Sequence, residues 1–142
     1  MPAGPTVLVD AGPIVAWINR ADAHHRWARA QFERLRPPLL TCEAVLVEAA
    51  FLLEYAGADP TTVPALAANG VFSLAPVLGE EAPAVLQLMR RYRNVPMSLA
   101  DACLVRLSET APNALVLTLD GDFRIYRRRG RAVIPVLMPE GW

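Results

Sequence analysis

Asp10, Glu48, Asp101 and Asp120 each stand where an apolar stretch should continue or has just ended, and the chain contains no lysine to neutralise them. Burying an unpaired carboxylate costs several kcal/mol or forces it to take up a proton. Acids gathered at the margin of a core therefore call for arginine partners or for a divalent cation, and hard cations such as magnesium prefer oxygen ligands. An all-carboxylate metal centre can run a hydrolysis with water as nucleophile and needs no nucleophilic side chain.

The neighbours of each acid say how it is positioned. Asp10 closes the apolar run Thr6-Val7-Leu8-Val9 and precedes Gly12-Pro13, so it reads as the end of a buried strand, where α/β proteins keep their chemistry. Glu48 lies in the helix-length segment Cys42 to Tyr55. Its neighbours three and four positions away are Ala44, Val45, Phe51 and Leu52, so it is expected to share a face with the core. It could instead pair with an arginine. Asp101 completes Ser98-Leu99-Ala100-Asp101, a Ser-x-x-Asp helix-start box ahead of Cys103, Leu104, Val105 and Leu107; capping alone would also account for it. Asp120 ends the strand-like Leu115 to Leu119, with Asp122 two residues on, and Leu119-Asp120-Gly121-Asp122 is equally a turn sequence. Asp10 is the hardest of these to explain without a cation.

Apolar periodicity and turn signals place strands near Thr6 to Val9, Leu39 to Thr41, Val71 to Leu74, Leu115 to Leu119 and Ala132 to Leu137. Helices are expected near Pro13 to Asn19, Ala23 to Leu35, Cys42 to Tyr55, Asp59 to Asn69, Glu80 to Arg91 and Ser98 to Glu109. Asp59-Pro60 offers the fourth helix an N-cap followed by proline, and Asn69-Gly70 offers it a stop. Strands alternating with helices imply a parallel sheet covered on both faces, a three-layer α/β/α sandwich. If the first and fourth strands are neighbours where the strand order reverses, Asp10 and Asp120 meet across that crevice. Glu48 and Asp101, each near the start of its helix, can then lean over the same spot.

With 142 residues, 54% hydrophobic and 20% charged, residues 1–142 are expected to form one folded domain. No apolar run approaches the ~18 residues of a membrane span. The opening Met1-Pro2-Ala3-Gly4-Pro5 has no basic leader pattern, so a cytoplasmic protein is expected. Cys42 and Cys103 lack the paired spacing of a zinc site and read as buried free thiols. His24 and His25, near the start of the second helix, read as helix-start hydrogen bonding, and Trp17, Trp27 and Phe32 as core or subunit interface. The formal charge is zero, but arginines cluster in Arg90-Arg91-Tyr92-Arg93 and in Arg124-Ile125-Tyr126-Arg127-Arg128-Arg129-Gly130-Arg131. Arginine interleaved with tyrosine can grip phosphates and stack on bases; a solvated turn would look similar.

The order of these motifs resembles the PIN-domain family. It comprises Val9-Asp10-Ala11-Gly12-Pro13, His24-His25 with Trp27, Thr41 to Glu48, Ser98 to Ala102 and Leu117 to Phe123. Within that family the chain is most similar to the VapC-type toxin ribonucleases of bacterial toxin–antitoxin pairs, over a span from Val7 to about Pro139. The resemblance implies a five-stranded parallel sheet and assigns Asp10, Glu48, Asp101 and Asp120 to the acidic metal-binding, catalytic positions. It implies Asp122 as a reserve ligand, with either Asp120 or Asp122 as the fourth, and Thr118 or Ser98 as the source of a hydroxyl to a metal-bound water. It also implies magnesium or manganese as cofactor, an RNA substrate such as tRNA or rRNA, an antitoxin partner, and a homodimer. A receiver domain or a haloacid-dehalogenase-type phosphatase would require a lysine, and the chain has none. A non-toxin PIN nuclease, or a catalytically silent PIN module that binds a protein, would retain the same fold.

Overall fold

β-Branched and apolar residues place Thr6–Val9 (β1) at the centre of a five-stranded, all-parallel sheet in which Leu8 and Val9 are fully buried. The other strands are Leu39–Thr41 (β2), Phe72–Leu74 (β3), Ala114–Leu117 (β4) and Val136–Leu137 (β7), in the order β3-β2-β1-β4-β7. Thr6 to Val9 lie opposite Ala114 to Leu117, and Leu8 lies opposite Leu40. The strand order thus reverses at β1, and the β1–β4 crevice anticipated from the sequence exists. The computed structural model describes residues 4–141; Met1 to Ala3, which open the stretch read above as having no leader pattern, and Trp142 lie outside the described residues.

Six helices complete the layers: Ala11–Ile18 (α1), His25–Arg34 (α2), Glu43–Tyr55 (α3), Thr62–Ala68 (α4), Leu78–Arg91 (α5) and Leu99–Thr110 (α6). Helix α1 packs on α2 and α3, α3 on α6, and α6 on α5. The architecture is the expected α/β/α sandwich. Trp17 stacks on Phe32 with centroids 4.2 Å apart, joining α1 to α2 inside the protein, and the His25 ring bonds the Ala16 carbonyl at 2.8 Å. Gly12, in the first turn of α1, lies so close to β4's exit that a Cβ there would stand 3.3 Å from the Leu119 Cβ. A glycine lets the two loops of the crevice approach.

The structure corrects the sequence reading in several places. Asp59 does not cap α4: its carboxylate accepts from the Thr61 amide and hydroxyl, and the helix starts at Thr62 with Thr61 as N-cap. Pro64 then falls in the first turn, where a missing N–H leaves no ladder bond unmade. The stop is as expected, with Asn69 as C-cap and Gly70 at a φ of +80°. Helix α5 begins at Leu78, earlier than the periodicity suggests, and kinks at Glu81 ahead of Pro83. The final strand read as Ala132 to Leu137 is two strands, Ala132–Val133 (β6) and β7, separated by Ile134-Pro135. β6 pairs antiparallel with Arg127–Arg128 (β5) through the turn Arg128-Arg129-Gly130-Arg131, where Arg129 and Gly130 have φ of 49° and 80°. Two consecutive left-handed residues make the tight hairpin turn usually signalled by Asn-Gly, and Arg-Gly gives no such warning.

Candidate active site

Asp10 follows β1 directly, donates its amide to the Leu117 carbonyl at 3.0 Å, and caps α1 by accepting the Ala11 amide at 2.8 Å. It is 5% exposed. Its other carboxylate oxygen accepts the Thr118 hydroxyl at 2.7 Å, and the same hydroxyl oxygen accepts the Asp120 amide at 2.9 Å. Thr118 therefore bridges the first and fourth strand exits. Its proton is committed to Asp10, so it holds the carboxylates in place rather than offering a proton donor to a water.

Asp120 follows three residues after β4 ends and caps a short 3-10 turn, Gly121–Arg124, by accepting the Asp122 amide at 2.9 Å. The turn reading of Leu119 to Asp122 is thus correct as local structure. Asp101 likewise completes the cap box of α6: its amide donates to Ser98 Oγ at 3.0 Å, and its Oδ2 accepts the Ser98 amide at 3.2 Å. That oxygen also accepts the Tyr126 hydroxyl at 3.1 Å. Capping duty and a place in the acidic cluster coexist, because a carboxylate that accepts one or two hydrogen bonds still has lone pairs to offer.

Glu48 is reached by α3, whose N-cap, Cys42, directly follows β2. The helix buries Val45, Ala49 and Leu53, whereas Phe51 and Leu52 are 64% and 39% exposed. Glu48 therefore stands at the border of the core face and not within it. Among the described residues its carboxylate makes no hydrogen bond, and none of Asp10, Glu48, Asp101 and Asp120 has an ion pair, since the arginine bridges go to Glu33, Glu81 and Glu109. The arginine reading of Glu48 fails on that count.

The acids feel one another. Burial pushes Asp10 up to about 7 against the lowering effect of its Thr118 and Ala11 hydrogen bonds, and the charges of Asp101 and Glu48 push the same way. Burial also raises Glu48, with Asp101 and Asp120 adding to it. Asp101 is raised by burial, opposed by Ser98 and Tyr126, and raised further by Asp120. Asp122 is raised by burial and by Asp120 alone, which puts it at the edge of the group. Among the described residues no three carboxylate, imidazole or thiol groups converge as a ready ligand cage. The donor set is all oxygen, carries several mutually repelling charges and keeps Glu48 without a hydrogen bond. That fits a hard divalent ion that takes a few direct ligands and retains much of its water.

Beside Glu48 runs a groove of about 820 Å3 between α3, the start of α5 and the start of α6, lined by Val47, Phe51, Leu78 and Leu99. Cys42 and Cys103 form part of its wall as free buried thiols. Hydrogen bonding from Cys103 and from the Ala44 and Val45 amides of α3 lowers the Cys42 thiol below its ordinary value, against the effect of burial.

The arginine clusters resolve differently from the sequence picture. Tyr92 and Tyr126 are 9% and 0% exposed and pack edge-to-face with centroids 5.1 Å apart, so neither can stack on a base. Tyr126 was missed as a site residue because an alternating Arg/Tyr run reads as surface; its only sequence cue was a large aromatic just past an acidic turn. Arg127 donates to the carbonyls of Arg124, Ile125 and Tyr126, its amide donates to the Tyr92 hydroxyl, Arg129 is held by Glu109, and Arg128 buries its Nε without a partner among the described residues. These arginines build the hairpin.

No curated protein matches the chain significantly. Among solved structures, VapC20 of Mycobacterium tuberculosis, described as a sarcin–ricin loop cleaving toxin, superimposes with a TM-score of 0.70 at 21% identity, covering 82% of this chain and 91% of that one. At that identity the likeness concerns architecture. The PIN domain profile, however, matches residues 7–129, which takes in all of β1 but Thr6, every helix and all five candidate site acids, and by that match the chain belongs to the PIN-domain family.

Proposed function

We propose that this PIN-domain protein is a metal-dependent endoribonuclease and the toxin of a toxin–antitoxin pair. The observation that carries the proposal is the gathering of Asp10, Glu48, Asp101 and Asp120 at the β1–β4 crevice, mutually repelling and without cationic partners. In this reading these four hold magnesium or manganese, with Asp122 at the rim. A divalent ion supplies a more acidic attacking water and charge neutralisation at the phosphodiester. The chain's own contribution is positional. Thr118 fixes Asp10 relative to Asp120, and Ser98 and Tyr126 fix Asp101. Glu48, without a hydrogen bond of its own, is left to orient ligands or take a proton.

The named activity of the M. tuberculosis neighbour favours structured ribosomal RNA over tRNA as substrate. An antitoxin and a second copy of the chain are the expected protein partners, acting in the cytoplasm. In support, Val47, Phe51 and Tyr55 recur at helical spacing along α3 while 68%, 64% and 85% exposed, an apolar stripe of the kind that protein partners cover. Among the described residues no helix is long and apolar enough to cross a membrane.

The test is incubation of antitoxin-free protein with a pool of tRNA and ribosomal RNA in chelator, magnesium or manganese, beside Asp10→Asn. Cutting that needs metal and falls at least 100-fold in the variant is the expected result. An intact fold that binds metal but cuts neither RNA would favour a silent binding module.

A further inference from the structure

The hairpin and the C-terminal end of α5 are tied together: Arg91 donates to the Gly130 carbonyl at 2.8 Å, and the Tyr92 hydroxyl accepts the Arg127 amide at 3.0 Å. This joins two segments that contain no acid, residues 82–100 and 123–139, which carry three and five of the fourteen arginines. Several of the eight are already engaged, as the carbonyl and ring contacts of the Arg91, Arg127 and Arg129 side chains show. Arg90, Arg93 and Arg131 are exposed, and their side chains make no hydrogen bond or ion pair among the described residues. Arg90 and Arg93 lie one and two residues from Arg91, and Arg131 follows Gly130, so all three flank the Arg91–Gly130 tie. Tyr92 packs on Tyr126, whose hydroxyl bonds Asp101, while the hairpin turn is held at Glu109, eight positions along α6 and therefore about 12 Å from Asp101. Free guanidinium groups within a few nucleotides' reach of a phosphodiester-cutting centre match one ligand well: the backbone of a nucleic acid, since each neutralised phosphate releases counterions.

We propose that Arg90, Arg93 and Arg131, and not the contiguous Arg127 to Arg129, grip the phosphate backbone of the RNA substrate where it runs on from the acidic site toward the C-terminal ends of α5 and α6. The proposal rests on the ribonuclease reading. Helix-end charge alone would explain Arg90, through the dipole of α5, but Arg93 and Arg131 lie outside any helix.

The experiment measures binding of a fluorescent RNA hairpin to full-length Asp10→Asn protein across about 0.05–0.3 M salt, in that background alone and with Arg90→Gln, Arg93→Gln and Arg131→Gln together. All three positions are exposed, so the melting temperature should hold, and it is recorded as the fold control. The triple substitution should reduce the slope of log affinity against log salt by about 2–3 and weaken binding about tenfold or more near 0.1 M salt. An unchanged slope in a folded triple variant overturns the proposal while leaving the ribonuclease reading standing. Failure of the Asp10→Asn protein to bind any RNA, with wild type cutting none, overturns both. Arg127→Ala provides the contrast: a lower melting temperature with the salt slope retained is expected, and a slope reduced as much as in the triple variant would return the grip to the hairpin and overturn the proposal.

Discussion

Asp10 is asked to remain charged where the fold would prefer it neutral. Its carboxyl has a pKa of about 7 in the folded protein against an ordinary value of 3.8. Between those values the folded chain holds a proton that the unfolded chain has released. The stability so gained is complete below about pH 3.8 and is lost as pH rises through about 7. In chelator, wild type should therefore lose about 2–4 kcal/mol from this group between pH 5 and pH 8. Asp10→Asn keeps an oxygen for the Ala11 amide and removes the charge, so its urea midpoint should fall much less over that range. It also relieves Glu48 and Asp101, whose raised values push in the same direction. Parallel pH profiles for the two proteins would show that Asp10 is ionised without penalty and that the crowding of acids is unimportant. The same substitution thus stabilises the metal-free fold while abolishing the proposed activity, a divergence expected of a functional position and not of a structural one.

At the scale of the element, Ser98 does two jobs, one with its hydroxyl and one with its backbone amide. It starts α6 by accepting the Asp101 amide, and the reciprocal bond from its own amide to Asp101 Oδ2 aims that carboxylate. Ser98→Ala should cost about 1 kcal/mol, read from urea denaturation, and should lower the cleavage rate by more than that loss of folding explains; Ser98→Thr should preserve both. A Ser98→Ala protein with wild-type denaturation and rate would mean that the residue-98 amide and Tyr126 hold Asp101 without the hydroxyl. This box was legible in the sequence because its physics is local, a fixed spacing within one turn. So were β1, β2 and the order of the acids, where a strand-length apolar run is terminated by a charge. Contacts made across the chain were not legible. Nothing near Thr118 announces that its hydroxyl spans from Asp10 to the Asp120 amide, a link over 108 positions. Nothing in Arg-Ile-Tyr-Arg-Arg-Arg-Gly-Arg separates arginines that staple a turn from arginines left in solvent. The helical face of α3 was misjudged for a related reason: apolar residues recur all round it, so periodicity could not tell the buried side of Val45, Ala49 and Leu53 from the exposed side of Val47 and Phe51.

Across the whole molecule the formal charge cancels, but it is unevenly spread. Four of the fourteen acids, Asp10, Glu48, Asp101 and Asp120, gather around the β1–β4 crevice without an arginine partner, and eight of the fourteen arginines lie in the two segments around α5's end and the hairpin. Long-range attraction of an RNA is accordingly weak, and binding depends on contacts within about a Debye length of the arginines. The uncompensated acids also make metal binding and folding one equilibrium. An ion that binds only the folded state at 100 times its dissociation constant adds about 2.7 kcal/mol, which for a chain of this length raises the melting temperature by roughly 5–11 °C. Protons compete for the same oxygens. With Asp10 at about 7 and Glu48 and Asp101 also raised, a proton would hold the proposed site below neutrality and a divalent cation would displace it above. The melting shift caused by about 10 mM magnesium, read against chelator, should therefore be several-fold larger at pH 8 than at pH 6, and should nearly vanish in Asp10→Asn at both. Equal shifts at the two pH values would mean that the ion binds elsewhere, on groups already ionised at pH 6. An undiminished shift in Asp10→Asn would mean that the crevice holds its cation without the buried carboxylate at its centre.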